Sequence, residues 1–310
     1  MKQGRCLLNK VDTNMIHYTH CPVCASDAIA PQLNVKDYTV SQKEFAVWHC
    51  KKCTARFTQD VPEQNAIGVY YQSDNYISHS DTKKGIVNNL YHMVRRKTLQ
   101  SKLNLVKNEV GMSKGEILDI GCGTGAFLNT MKSAGWGITG LEPDDTARTK
   151  AKELYQLEPQ SSEKLFELVP ATYHAITMWH VLEHVHELHA YIKQLHQLLT
   201  PQGKIFIAVP NYTSTDAAVY QEYWAAYDVP RHLYHFSPQS MEQLLAPYNL
   251  KVTSIKPMWY DSFYVSMLSE KYKNGKGNLL KAFWNGLRSN ITTMADTSKC
   301  SSVIYIIAKN

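Results

Sequence analysis

Apolar positions along the chain fall into two patterns. Short runs such as Glu116-Ile117-Leu118-Asp119-Ile120, Gly137 to Leu141 and Tyr173 to Met178 are too brief for helices and read as buried strands. Elsewhere apolar residues recur at helical spacing. Leu188, Tyr191, Ile192, Leu195, Leu198 and Leu199 share one face, and that pattern stops at Pro201 and Gly203. Lys204 to Asn211 then gives another strand, and a helix is expected from about Ile86 to Val110. After Ile255 come Tyr260, Phe263, Tyr264, Met267, Leu279, Leu280, Phe283, Trp284 and Leu287. An aromatic stripe at helical spacing reads as core before it reads as binding surface.

The join after the first of these strands carries the most chemistry. Asp119-Ile120-Gly121-Cys122-Gly123-Thr124-Gly125 closes an apolar strand with an acid and opens a helical segment through a glycine-rich turn. Glycines let backbone approach a ligand closely, and a helix N-terminus offers free N–H groups to an anion. The next strand ends in Glu142, 21 residues after Gly121, where a carboxylate can accept both hydroxyls of a bound ribose.

These segments, with Trp179-His180-Val181-Leu182-Glu183-His184-Val185 and the run from Leu198 through Asn211, resemble the class I S-adenosylmethionine (SAM) methyltransferases, in particular bacterial small-molecule and sugar methyltransferases. The resemblance covers roughly Tyr70 to Asn310. It implies an α/β fold with a seven-stranded Rossmann-like sheet. Leu250 to Ile255 would be the sixth strand, and Ser301 to Ala308 the seventh, inserted antiparallel between the fifth and sixth. It also implies SAM as cofactor, held by Asp119, Gly121, Cys122, Gly123, Gly125, Glu142, Pro143, Met178 and His180. A tyrosine- and serine-rich loop from Tyr70 to Ser80 would close over the cofactor and contribute Tyr76. The helices after Ile255 would wall the substrate site.

Composition adds a second signal. The chain has 310 residues, 44% of them hydrophobic, and a formal net charge of +6 that is scattered rather than blocked. Such a chain can bury a full core and carry a small extra domain. Four of its seven cysteines form two pairs, Cys21-x-x-Cys24 and Cys50-x-x-Cys53. Two such knuckles can set four thiolates around one structural zinc ion. The expected organisation is therefore a zinc ribbon over 1–62, a tyrosine-rich lid and connecting helix over 63–110, and a methyltransferase domain over 111–310. The N-terminus lacks the apolar run of a signal peptide and no stretch is long enough for a membrane span, so the expected location is the cytoplasm.

The candidate acceptor site is the segment Trp224 to Ser237, after the strand ending at Asn211. Methyl transfer needs the acceptor held in line and, for some acceptors, a base; histidine suits that task near neutral pH. Sugar C-methyltransferases carry a catalytic histidine a few residues before a Tyr-Phe-Ser, and aligning on Phe236-Ser237 puts His232 there, with His235 in reserve. Their preceding glutamate is Arg231 here, which weakens the sugar C-methylation reading. His180-x-x-Glu183-His184 also fits an inverted zinc-protease signature, but His180 directly follows a strand, so the pair straddles a strand end and a helix start.

The expected activity is transfer of a methyl group to oxygen or carbon of a small or carbohydrate-linked acceptor. Two alternatives stay open. Gly121-x-Gly123-x-x-Ala126 satisfies the dinucleotide fingerprint of NAD-dependent oxidoreductases, against which Asp119 and the lack of a recognisable hydride-transfer site speak. A non-catalytic ribbon adaptor is the other. Nucleic acid is disfavoured as its partner, because the ribbon clusters few cations beyond Lys51, Lys52 and Arg56.

Overall fold

The computed structural model describes residues 15–72 and 86–310. The N-terminal part builds five strands: β1 (Met15–Ile16), β2 (Ile29–Lys36), β3 (Glu44–Cys50), β4 (Arg56–Thr58) and β5 (Val61–Pro62). β2, β3 and β4 form an antiparallel meander, with Cys50 closing β3. The rest alternates helix and strand: α1 (Ile86–Val110), β6 (Glu116–Ile120), α2 (Ala126–Ser133), β7 (Gly137–Leu141), α3 (Asp145–Tyr155), β8 (Tyr173–Trp179), α4 (Leu188–Leu198) and β9 (Leu199–Pro210). It continues with α5 (Thr215–Tyr220), β10 (Tyr234–His235), α6 (Pro238–Leu245), β11 (Leu250–Pro257), α7 (Asp261–Asn274), α8 (Leu279–Ala295) and β12 (Ser302–Lys309).

Six of these strands make the central sheet, in the order β11-β12-β9-β8-β6-β7. β7, β6, β8 and β9 run parallel, while β12 lies antiparallel between β9 and β11. The insertion of the last strand is as expected, but among the described residues the sheet has six strands rather than seven. A single parallel bridge, Leu141 to Gln160, holds the place of the missing edge strand. Residues around it contain Pro159, which has no N–H to lend a ladder, so pairing stops after one rung. β9 also starts earlier than Lys204. Leu199 already pairs with Tyr173, and the register then shifts before pairing resumes at Ala175 and Lys204.

Alternation along the strands sends each sheet face into its own core. Leu118, Ile120, Ile176, Met178, Ile205 and Ile207 pack with α4 and α6 side chains such as Ile192, Leu195 and Met241. Ile117, Ala175, Phe206 and Ala208 pack on the other side with Leu103 and Val106 of α1 and Phe127 and Met131 of α2. The carboxyl ends of β6, β7, β8 and β9 therefore open on one edge, where ligands bind in open α/β sheets.

The two sheets are joined through the short β10. Tyr234 pairs with Phe57 and His235 with Arg56, so a two-residue strand from the second half extends the N-terminal sheet to the order β10-β4-β3-β2.

Candidate functional site

At the end of β6 the chain turns through Gly121 (φ +69°) and Gly123 (φ +54°), backbone conformations that disfavour any residue with a Cβ. A Cβ on Gly121 would collide with Val181, whereas one on Gly123 would meet nothing within 4 Å. Gly123 thus presents bare backbone to open space. Its N–H donates to the Glu142 carboxylate at 2.8 Å, and the other Glu142 oxygen accepts the Asp144 N–H at 3.0 Å. Burial pushes Glu142 above the usual carboxylate range, against the pull of those two N–H groups. One acid thus ties the glycine turn to the end of β7.

Asp119 sits behind this turn, 1% exposed, and accepts a 2.6 Å hydrogen bond from the Thr177 hydroxyl of β8. Burial raises it to about 7, against the lowering influence of Thr177 and of the Lys102 ammonium. Lys102, from α1, is itself pushed down to about 8 by burial and lies 4.1 Å over the Trp179 ring. Carboxylate and ammonium are each held close to neutral pH, where a bound charge moves either one.

The remaining expected cofactor residues occupy different surroundings. Cys122 is buried among Leu128, Ala151 and Leu157, and its N–H, like that of Gly121, is spent on the Leu141 carbonyl. Pro143 is exposed just past Glu142. Met178 points into the α4 side of the core, not toward the strand ends. Gly125 caps α2. Tyr76 lies outside the described residues.

His180 leaves β8 in a left-handed conformation (φ +57°), the kind of backbone outlier that gathers at functional sites. Its ring bridges two carboxylates, Nε2 at 3.1 Å from Asp261 at the start of α7 and Nδ1 at 3.4 Å from Glu183. Burial opposes its charge, but these two acids outweigh it and raise His180 to about 10, so the ring is a cation at neutral pH. It is not paired with His184. Leu182–His184 form a short 3-10 turn, so the protease-like motif does not lie on one continuous helix.

The acceptor loop is built from three separate stretches of chain. His232 donates Nδ1–H to the Ala226 carbonyl at 2.9 Å; a carbonyl can only accept, so the neutral ring keeps a lone pair on Nε2. That nitrogen lies 4.0 Å from Asp228, and the ring packs edge-on against His184 at 4.6 Å. His184 likewise reaches the Arg231 carbonyl through Nδ1, and burial lowers it to about 4. Beside both, Glu183 is fully buried, and its carboxylate faces the His180 ring at 3.4 Å with no other side-chain partner in hydrogen-bonding geometry. Ligand atoms of Glu183, His184 and His232 all lie within 4.8 Å of one another, a donor set able to share a proton or a cation. His235 is elsewhere. It is buried in β10, and because the Thr58 hydroxyl donates to the His232 carbonyl, His235 must donate Nε2–H to Thr58. Burial lowers it, and the Arg56 charge adds to the effect.

The N-terminal part supplies several of the contacts that hold this loop. Arg231, 1% exposed, pairs with Asp37 of the N-terminal part at 3.0 Å and with Asp228 at 2.6 Å. Arg56 of β4 bonds the Tyr227 hydroxyl at 2.6 Å and lies 4.2 Å over the Tyr212 ring. Nothing in the sequence paired Asp37 with Arg231, 194 residues away.

The four cysteines of the two knuckles converge. Cys21 and Cys53 sulfurs are 3.6 Å apart, as are those of Cys24 and Cys50, and all four lie within 4.8 Å of one another without a disulfide. Zinc–sulfur bonds of about 2.3 Å set tetrahedral sulfur–sulfur edges of about 3.8 Å, so the spacing fits such a group.

Comparisons with known proteins agree with this geometry. A family model for a methyltransferase domain matches residues 92–255. The ubiquinone biosynthesis O-methyltransferase of Pseudomonas aeruginosa (strain LESB58) is 28% identical over 118 residues, 36% of this chain and 50% of that protein. The mitochondrial ubiquinone biosynthesis O-methyltransferase of Bos taurus is 28% identical over 169 residues, 49% of this chain and 45% of that protein. The chain thus spans about half the length of the curated relatives it matches. Among solved structures, magnesium protoporphyrin IX methyltransferase from Synechocystis PCC 6803, with bound SAH, aligns over 80% of this chain and all of that one, with a TM-score of 0.51 and 13% identity. That likeness bears on the fold.

Proposed function

Because the chain belongs to the methyltransferase-domain family, we propose that it is a SAM-dependent methyltransferase acting on a small or carbohydrate-linked acceptor. The observation that carries the reading is the Glu142 clamp on Gly123. A strand-end acid fixes a glycine turn whose backbone faces open space, as a nucleoside-binding edge requires. When bound, SAM supplies the methyl group on a positively charged sulfur. The chain's own part is to hold it: Glu142 toward the ribose, the Gly121–Gly125 turn along the backbone of the ligand, Asp119 as the buried negative charge near the cationic end. Curated relatives named as O-methyltransferases favour an oxygen acceptor over carbon. For an acceptor hydroxyl, His232 offers the unprotonated Nε2 that can take its proton. Tyr76 and the loop around it remain the proposed lid.

The four thiolates we assign to a structural zinc, since every donor is a cysteine and no coordination position is left for substrate. A four-thiolate site fits a reducing compartment such as the cytoplasm. The ribbon, lid and methyltransferase boundaries at 62 and 110 stand as part of the same reading.

Titration calorimetry tests the cofactor assignment. SAM and its demethylated product should both bind, and Glu142→Ala should weaken SAM by about 1–3 kcal/mol through lost charge-assisted hydrogen bonds. Binding of NADH with no binding of SAM would overturn it in favour of the dinucleotide alternative.

A further inference from the structure

The helical hairpin between β11 and β12 is packed inside out. α8 turns Ala282, Gly286, Ser289 and Thr293 inward, at i, i+4, i+7 and i+11. Against them α7 buries Ser262, Ser266 and Ser269. The helices approach so closely at this seam that a Cβ on Gly286 would come within 2.7 Å of the Phe263 ring. Several of the seam's hydroxyls are satisfied: the Ser262 hydroxyl bonds Asn290 at 2.9 Å, Ser269 bonds the Val265 carbonyl at 2.7 Å, and Ser289 bonds Asp216 at 2.9 Å.

Apart from the buried Val265 and the half-buried Phe263, Leu268 and Leu287, the large apolar side chains face the other way. On α8, Leu280 is 76% exposed, Trp284 63% and Met294 78%, with Leu279, Phe283 and Ile291 also exposed. On α7, Tyr264 and Met267 continue the surface. A helix on a water-soluble core does the reverse, burying its large apolar stripe and exposing small and polar residues. Small residues at the helix–helix seam with bulky apolar residues outward is the arrangement used where lipid is the solvent. Among the described residues, none covers this face, and no helix is long and apolar enough to cross a membrane.

Charge selects the occupant. Residues 259–296 contain Lys271, Lys273, Lys276, Lys281 and Arg288, all exposed. Of the three acids there, Glu270 is fully buried and paired with Lys281, and Asp261 is turned inward to His180. Four of the five cations surround the tip that carries Leu279, Leu280, Phe283 and Trp284. A second copy would bring the same lysines against these, and like charges repel; anionic headgroups complement them. We propose that the α7–α8 hairpin is an interfacial anchor, its apolar face sunk into the outer layer of an anionic lipid surface and its lysines at the headgroups.

Flotation of the full chain with vesicles tests this directly. The protein should float with phosphatidylcholine vesicles containing about one third phosphatidylglycerol, and much less with phosphatidylcholine alone. The double variant Phe283→Glu/Trp284→Glu should lower the bound fraction about tenfold or more, and Lys271→Glu/Lys276→Glu should remove the preference for anionic vesicles. All four side chains are exposed, so melting temperatures should stay at the wild-type value and exclude misfolding as the cause. Failure of the wild type to float, or flotation indifferent to both variants, contradicts the proposal. A wild-type dimer in solution that Phe283→Glu/Trp284→Glu splits, with no vesicle binding, also overturns it and makes the face a contact between copies.

Discussion

The cofactor edge and the acceptor loop share one rim of the sheet but are assembled differently. Around Gly123 the partners are close in sequence: Glu142 clamps a turn 19 residues earlier, and both sit at the ends of adjacent parallel strands. Around His232 they come from across the chain. Thr58 holds the His232 carbonyl over a separation of 174 residues, and Asp37 holds Arg231 over 194. A site made of neighbours survives local change, whereas a site made of distant segments depends on everything that brings those segments together. The four-cysteine ribbon, far from a detachable appendage, is part of the wall behind His232.

Three substitutions sharpen that contrast. Asp37→Ala removes one of the two carboxylates facing the buried Arg231 guanidinium. It should cost about 3 kcal/mol, since breaking a buried pair leaves charge uncompensated and only Asp228 remains to offset it. Denaturant unfolding reads the loss, and SAM affinity should stay within about threefold if the cofactor edge is independent. His232→Ala comes next. With the acceptor in hand, turnover should fall about 10²-fold, or about 2.7 kcal/mol in the barrier, with SAM affinity again kept. Turnover at the wild-type rate would make His232 a loop residue and leave catalysis to positioning alone.

The smallest effect is set by pH and belongs to the cofactor edge. Asp119 is raised from 3.8 to about 7, chiefly by burial, so the free protein disfavours its ionised form. A cationic ligand selects that form. Affinity for SAM should therefore drop about tenfold per pH unit below about 7 and level off above it, and Asp119→Asn should flatten the profile. In the unliganded protein the same shift destabilises: the cost begins as pH rises past the ordinary value near 4 and is complete above about 7. A pH-independent affinity in the wild type would remove Asp119 from the ligand's surroundings.

What could be foreseen from sequence follows the same division. The glycine turn, Glu142, the four cysteines and α1 are written in short, contiguous patterns, and each stands where those patterns put it, whereas the order of the last two strands came only with the family resemblance. Lys102, Thr177 and Asp261 carry no local mark, because a lone lysine on a helix or threonine in a strand gains its role only from the elements stacked beside it. β10 is two residues long, below what any periodicity can register. The aromatic stripe after Ile255 was legible as helical spacing, yet its direction was not. Spacing says which residues share a face, and here the face turned inward is the one with small side chains.

The claim that the acceptor loop depends on the ribbon while the cofactor edge does not can be tested in one experiment. Metal is stripped from the full chain with a chelator, and amide hydrogen exchange is followed with SAM affinity measured on the same sample. Protection should be lost over 44–58 and, through the β4–β10 pairing and the Asp37–Arg231 contact, over 225–236 as well, while 116–142 stays protected and SAM still binds within about threefold. Loss of ribbon protection with 225–236 unchanged, or loss of SAM binding together with the metal, would contradict it.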